Sequence, residues 1–284
     1  MVPSSGSDSV PFAEPVPLAH GGPIPPLGLG VFRIPDGEPV RQAVSWALEA
    51  GYRHVDTAAI YGNEQGVGTA IREWDGARDE VFVTTKLWNE DHGHDETLRA
   101  FDDSLGRLGL DEVDLYLVHW PVEGRRRETW RAMERLHEEG RARAIGVSNF
   151  MRHHLEALLA HCHTAPAVNQ VELHPFNFRT REPLVEFCRE RNIVVEAYSP
   201  LTKARRLQDP SLLRVAHEVD RTPAQVLIRF VLEKGTVALP KSGDRDRIQE
   251  NAQVFDFRLS GDQMRRLDAL DEGLTTAWDP TAVP

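Results

Sequence analysis

The sequence predicts one α/β domain, a (β/α)8 TIM barrel with an N-terminal β-hairpin covering the bottom of the barrel. Three observations predict it. Eight short segments rich in Val, Ile and Leu recur along the 284 residues, several of them nearly continuous apolar runs, as parallel strands covered on both faces require. Stretches with apolar residues at helical spacing separate them. Ionisable or hydrogen-bonding side chains stand at the ends of several segments, where the loops of a parallel barrel converge. Strand followed by helix, repeated eight times, implies right-handed crossovers, and eight units favour closure over a wide open sheet.

In chain order, residues 1–13 (MVPSSGSDSVPFA) read as a flexible tail and 14–284 as the barrel domain. The stretch VPLAHGGPIPPLG reads as a hairpin, with Gly21 and Gly22 able to take the positive φ of a tight turn. GLGVF, RHVDTA, VFVTTK, VDLYLVHW, RAIGVSN, AVNQVEL, IVVEAYSP and TVALPKS are the eight strand segments. Helices are expected over 39–50, 64–74, 95–108, 128–139, 151–160, 182–191 and 223–233. In the third, Leu98, Phe101, Leu105 and Leu108 recur at intervals of three and four. Gly51, Gly109, Gly140 and Gly235 follow helices, where left-handed geometry ends the last turn. The polar, basic segment 201–210 (LTKARRLQDP) after the seventh strand reads either as a loop folding over something bound at the mouth or as a solvated surface loop.

Composition narrows the function classes. The chain is 40% hydrophobic and 27% charged, and Lys+Arg 33 against Asp+Glu 44 gives a net charge of −11. That balance argues against nucleic acid or an anionic membrane as partner. No apolar run is long enough for a membrane span. The N-terminal stretch lacks the basic and apolar regions of a signal peptide. Two cysteines, Cys162 and Cys188, make no disulfide framework, so a cytoplasmic protein with reduced thiols is expected.

The chemistry concentrates in four residues at three strand ends. Asp56 in VDTA and Tyr61 in YGNE leave the second strand, Lys86 in TTKLW ends the third, and His119 in LVHWP ends the fourth. Free tyrosine titrates near ~10 and is a poor acid at neutral pH. A nearby ammonium is expected to lower that value, with a buried carboxylate holding the lysine charged and oriented. Tyr61 can then give a proton to a carbonyl oxygen, with His119 donating a hydrogen bond to the same oxygen. Taken singly, such an Asp, Lys or Tyr is more often a cap, a surface charge or a packed ring. Their joint occurrence after three successive strands points to a site. The histidine patches His92/His94, His153/His154 and His161–His163 supply no convincing three-ligand set, and no metal is expected.

With these segments in hand, the chain resembles the aldo-keto reductases, from Pro17 to about Asp271. The resemblance rests on GLGVF, GYRHVDTAAIYGNE, TTKLWN, DLYLVHWP, AIGVSNF, NQVELHP, EAYSPL and LPKS followed by RIQEN. The short connection HWPVEGRRRETW and the short tail beyond Asp271 resemble the compact bacterial branch of diketogluconate and small-aldehyde (methylglyoxal-type) reductases, and make a steroid-type pocket doubtful. The resemblance implies NADPH as cofactor, a small-molecule carbonyl as substrate, and Asp56, Tyr61, Lys86 and His119 as a catalytic tetrad. It also implies cofactor contacts at Ser148, Asn149, Gln170, Tyr198, Ser199, Leu201, Lys241, Ser242, Arg247, Glu250 and Asn251. The residue chemistry agrees in part. Ser148, Asn149 and Gln170 are neutral hydrogen-bonding groups suited to a carboxamide, and Tyr198 offers a flat face for a nicotinamide ring. Lys241, Ser242 and Arg247 follow the last strand, where barrels often bind phosphate. A lysine beside a planar arginine suits the 2′-phosphate of NADP, whereas KSGDRDR also reads as a solvated turn. No glycine-rich dinucleotide fingerprint is present. Phe32, Trp88 and Trp120 are expected to wall the substrate pocket, or to be core aromatics. A monomer is the default. Two other readings stand beside reduction: an NAD(P)-dependent alcohol or sugar dehydrogenase working oxidatively, and a nucleotide-sensing subunit with little turnover.

Overall fold

The computed structural model describes residues 14–284, and the tail expected over residues 1–13 lies outside the described residues. Each of the eight predicted segments contains a strand: β1 (Leu29–Gly30), β2 (His54–Asp56), β3 (Phe82–Leu87), β4 (Val113–Val118), β5 (Ala142–Ser148), β6 (Val168–Glu172), β7 (Val194–Tyr198) and β8 (Val237–Leu239). Every strand pairs in parallel with the next in the chain. The ring closes through the stretch around β1. Gly28 N–H donates to Ala238 O at 2.9 Å, Gly30 N–H to Pro240 O at 3.0 Å, and Ala238 N–H to Pro26 O at 2.8 Å. Closure needs glycine at position 28, because a Cβ there would lie 2.6 Å from His54 Nδ1 and 2.7 Å from a Leu239 methyl.

Among the described residues, ten α-helices surround the strands: α1 (Glu38–Glu49), α2 (Glu64–Glu73), α3 (His94–Leu108), α4 (Arg126–Glu138), α5 (Arg152–Leu159), α6 (Phe178–Arg189), α7 (Pro210–Glu218), α8 (Pro223–Glu233), α9 (Arg245–Ala252) and α10 (Gly261–Asp268). The seven expected helices are present with boundaries shifted by no more than two residues, except that α6 begins at Phe178, four residues early. The earlier start of α6 has a long-range cause. Thr180 in its first turn donates its N–H and its hydroxyl to Asp271, both at 2.8 Å. Helices α7, α9 and α10 were not expected. Asp209 caps α7 by accepting from Ser211 N–H at 2.8 Å and Leu212 N–H at 3.1 Å, a capping pattern common at helix starts.

The hairpin forms at the opposite end from the strand-end chemistry. Val16 and Ile24 exchange N–H···O bonds of 2.8 Å in each direction, and Gly21 and Gly22 have φ of 83° and 86°. Ile24 packs with Phe82, Leu115, Leu117, Ala144, Val168 and Val237, a buried apolar plug at the strand beginnings. Above the plug the inward-facing row changes character. Alternate residues point into the barrel, and here they are His54 and Asp56, Thr84 and Lys86, Gln170, and Glu196, all buried. The barrel therefore has an apolar floor and a polar, ion-paired upper layer. Among the described residues, no helix is long and apolar enough to cross a membrane.

After α10 the chain runs as a strap to Pro284 across the C-terminal face. Glu172 at the end of β6 holds it: Oε1 accepts from Thr276 N–H at 2.8 Å and Oε2 from Ala277 N–H at 3.0 Å. His153 and His154 are hydrogen-bonded to Val283 O at 2.9 and 2.8 Å.

Candidate active site

Asp56 and Lys86, one residue from each of two adjacent strands, form the centre. Lys86 Nζ donates to both carboxylate oxygens of Asp56 at 2.7 Å and to Thr57 O at 2.8 Å. Those contacts use all three ammonium protons, and the lysine is fully buried. Gln170 reaches across the barrel from β6 and donates through Nε2 to Asp56 Oδ2 at 2.8 Å.

Tyr61 sits in a single 3-10 turn (Ala59–Tyr61) just after β2. Its ring lies with its centroid 5.1 Å from Lys86 Nζ and 5.7 Å from the His119 ring. The phenol behaves differently from the sequence-based expectation. Burial, with the Asp56 charge adding to it, pushes the Tyr61 hydroxyl well above its ordinary value. The ammonium does not bring it down: its three N–H groups point at Asp56 and Thr57. Tyr61 is therefore a neutral phenol that holds its proton until a strong base arrives. Burial, reinforced by the charge of Lys86, holds the His119 imidazole well below its usual value. A neutral imidazole can still donate one N–H. The His119 backbone is fixed by its N–H to Leu87 O at 3.2 Å and by Asn149 Nδ2 donating to its carbonyl at 3.0 Å.

Aromatic rings surround this group. Phe32 lies 5.0 Å from Tyr61 and Trp88 lies 5.3 Å from His119, centroid to centroid. Trp120 stands at the same rim, 6.1 Å from Trp278, which also lies 5.9 Å from Trp88. Trp278, 64% exposed on the C-terminal strap, was missed in the sequence. Nothing local in TTAWDP says that it returns to the mouth.

The residues expected at the cofactor fall into three groups. Ser148, Asn149, Gln170 and Tyr198 form one hydrogen-bonded set. Ser148 Oγ donates to Gln170 O at 3.0 Å, Asn149 Nδ2 donates to Ser148 Oγ at 3.0 Å, and Tyr198 OH donates to Asn149 Oδ1 at 2.8 Å. Both Gln170 amide protons are also used, on Asp56 and on Glu196. The set thus keeps acceptors open, Gln170 Oε1 and a lone pair of Asn149 Oδ1, which fits the NH2 of a nicotinamide carboxamide. Ser199 and Leu201 begin the loop after β7, where Ser199, Thr202, Lys203 and Ala204 all have positive φ between 50° and 63°. Such backbone strain in non-glycine residues clusters at ligand clamps.

Lys241 and Arg247 are exposed, and the charges of Arg247 and Arg33 both act on Lys241. Arg33, in the loop after β1, was missed by sequence reasoning, and its φ of 61° marks a constrained turn. Three cations together on a protein of net charge −11 fit phosphate groups. Ser242 stays within its own turn, with Asp244 N–H donating to its Oγ at 3.1 Å. Glu250 accepts from Thr222 Oγ1 at 2.7 Å, and buried Asn251 Oδ1 has no hydrogen-bond partner among the described residues. Among the described residues there is no group of three or more His, Cys, Asp or Glu side chains able to hold a metal ion.

Comparison with known proteins decides the family. The family model described as Aldo/keto reductase family matches residues 26–272. The chain belongs to that family. The reductase is thus an NADP-dependent oxidoreductase acting on carbonyl compounds. It is 47% identical over 259 residues to glyoxal reductase of Bacillus subtilis, covering 91% of this chain and 93% of that one. It is 49% identical over 269 residues to 9,11-endoperoxide prostaglandin H2 reductase of Trypanosoma cruzi, covering 93% and 94%. Its fold matches the crystal structure of Bombyx mori aldo-keto reductase in complex with NADP, with a TM-score of 0.87 at 37% identity, covering 94% and 96%.

Proposed function

We propose that this reductase converts aldehydes or ketones to alcohols with NADPH, and that Tyr61 donates the proton. The observation that carries this reading is the Tyr61 hydroxyl, which has no hydrogen-bond partner among the described residues, beside a neutral His119 and a buried Asp56–Lys86 pair. When bound, NADPH supplies the hydride. As the carbonyl carbon is reduced, its oxygen takes on alkoxide character, a far stronger base than a phenolate. The Tyr61 O–H bond then breaks and the proton joins that oxygen. The phenolate left behind faces the buried Asp56–Lys86 pair, in which Asp56 holds the lysine in place. His119 donates its N–H to the same oxygen as charge develops there. A fully neutral phenol is the right acid for this step, because it cannot lose its proton to solvent beforehand.

On this reading the acceptors of Gln170 and Asn149 would hold the carboxamide, the Tyr198 ring would offer its face to the nicotinamide, and Arg33, Lys241 and Arg247 would hold phosphate. Glu250, Asn251, Ser242, Ser199 and Leu201 line the rest of the nucleotide path. The rim of Phe32, Trp88, Trp120 and Trp278 favours a carbonyl carried on a flat or apolar body. Residues 14–284 act as a single domain, monomeric and cytoplasmic, a state that sedimentation at the mass of one chain tests.

The deciding experiment is NADPH oxidation with methylglyoxal, an aromatic aldehyde and a keto-sugar acid, run beside Tyr61→Phe. The variant is expected to lose roughly 10²–10⁴-fold in turnover while NADPH binding stays nearly intact. Wild-type-like turnover in Tyr61→Phe removes Tyr61 from the mechanism. No turnover of any carbonyl by the wild type, with NADPH bound, refutes carbonyl reduction.

A further inference from the structure

Glu196 lies in the barrel interior and has no place in the mechanism above. It is fully buried on β7, directly opposite Gln170 in the strand register. Gln170 Nε2 divides its two protons between two carboxyl groups, Asp56 Oδ2 at 2.8 Å and Glu196 Oε2 at 2.9 Å. A continuous path thus runs from Glu196 through one amide to Asp56 and on to Lys86. The other Glu196 oxygen, Oε1, is buried with no hydrogen bond among the described residues, and His54 Nε2 stands 3.7 Å from it. An apolar residue at this position would avoid the cost of burying an unmatched polar atom. A carboxyl kept there at a loss in stability points to a role beyond packing.

We propose that Glu196 is a positioning residue of the proton-donor centre, bracing Gln170 against Asp56, and that loss of its carboxyl proton weakens Tyr61 as an acid. The inference rests on the proton-donor reading of Tyr61. The groups that face Glu196 make the charge argument definite. From β2 come His54 and Asp56, from β3 Lys86, and from β6 the neutral Gln170, while its register partner on β8 is the apolar Val237. Burial holds His54 down to about 3, so that ring brings no positive charge. Asp56 and Lys86 form one ion pair. Burial, followed by the Asp56 charge, pushes the Glu196 carboxyl up to about 8. At neutral pH the interior therefore carries one balanced ion pair and an uncharged acid. Once Glu196 ionises, a net negative charge sits beside the pair, and Tyr61 must leave a phenolate in a more negative site.

The test reads kcat for carbonyl reduction at saturating NADPH from roughly pH 6 to 10 in wild type and Glu196→Gln. A second readout needs no turnover: the 15N resonance of the Lys86 ammonium in the NADPH-bound enzyme, identified by its absence in Lys86→Met. In wild type, kcat is expected to fall about three- to tenfold as Glu196 ionises, and the Lys86 resonance to move over the same step. In Glu196→Gln both steps vanish, and kcat at neutral pH is about threefold lower because the amide holds Gln170 less well. Persistence of both steps in Glu196→Gln overturns the proposal, as does a Lys86 resonance that stays fixed in wild type over the whole range. The wild-type resonance still decides if the variant does not fold. A wild type that moves the Lys86 resonance but reduces no carbonyl would sink the proposed function and leave the coupling standing.

Discussion

Replacing Asp56 by Asn isolates what the buried ion pair does for the fold and for the chemistry. The substitution keeps the shape and removes the charge, leaving Lys86, fully buried, with Thr57 O at 2.8 Å as its remaining backbone partner. Removing one partner of a buried pair typically destabilises by about 3–5 kcal/mol, because an uncompensated charge stays behind. In a domain of this size each kcal/mol shifts the unfolding midpoint by roughly 2–4 °C, so Asp56→Asn is expected to melt about 6–20 °C lower. Lys86→Met is expected to fall in the same range, since it strands the carboxylate instead. The double variant removes both charges and is expected to recover much of either loss, which defines a coupling energy between the two sites. Circular dichroism melts of the four proteins measure this directly. Reduction of carbonyls stays lost in all three variants, which separates folding from catalysis. Single losses below about 1 kcal/mol, or losses that simply add in the double variant, would refute a desolvated ion pair at the centre of the barrel.

Three further outcomes follow from the geometry. Trp278→Ala is expected to raise KM for an aromatic aldehyde by about two- to tenfold and that for methylglyoxal much less, since one aromatic contact contributes about 0.5–1.5 kcal/mol; equal effects on both substrates would take Trp278 out of the pocket. Arg247→Ala is expected to weaken NADPH by about five- to tenfold relative to NADH, and equal losses measured by fluorescence titration would refute the 2′-phosphate contact. Burial holds His54 at about 3 and His92 at about 4 and lifts Glu196 to about 8, which sets opposite slopes on either side of about pH 6.5. Below it the unfolded chain binds two more protons at the imidazoles and one fewer at Glu196, so stability falls by at least about 1.4 kcal/mol per unit as pH drops toward 4.5; above it Glu196 alone acts, and stability falls at a similar rate as pH rises toward 8. Melts across this range are expected to peak near pH 6.5, and Glu196→Gln to lose the alkaline decline; a decline unchanged in that variant would overturn the reading.

What the sequence made legible is what local pattern encodes. The strand segments are short apolar runs whose ends carry Asp56, Lys86 and His119, and closure of the parallel sheet brings those ends to one face without further information. Ser148, Gln170 and Tyr198 follow by the same logic on β5, β6 and β7. The start of α6 was illegible because Asp271, far along the chain, caps Thr180. Helix α7 was overlooked although its signals are local: Asp209 before Pro210, then Leu212, Val215 and Ala216 at helical spacing. Trp278 and Arg33 escaped for another reason, since an exposed side chain on an irregular segment has no periodicity to place it.

Lys86 shows where residue chemistry alone stops. A lysine near a tyrosine predicts a more acidic phenol, and that inference treats the charge as free to act. Its effect depends on where its three N–H groups point, and here they point at Asp56 and Thr57. Burial then controls the phenol, and the Asp56 charge adds to it. The same accounting changes the meaning of Gln170. Read from its type it offers two donors to a carboxamide, but with both spent on Asp56 and Glu196 it presents only an acceptor outward. Glu196 carried no signal in EAYSPL because a carboxyl on a buried strand is defined by its partners across the barrel. Which proton each group keeps, and for whom, is settled by contacts between strands that are distant in sequence, so the proton-donor centre has to be read as one network.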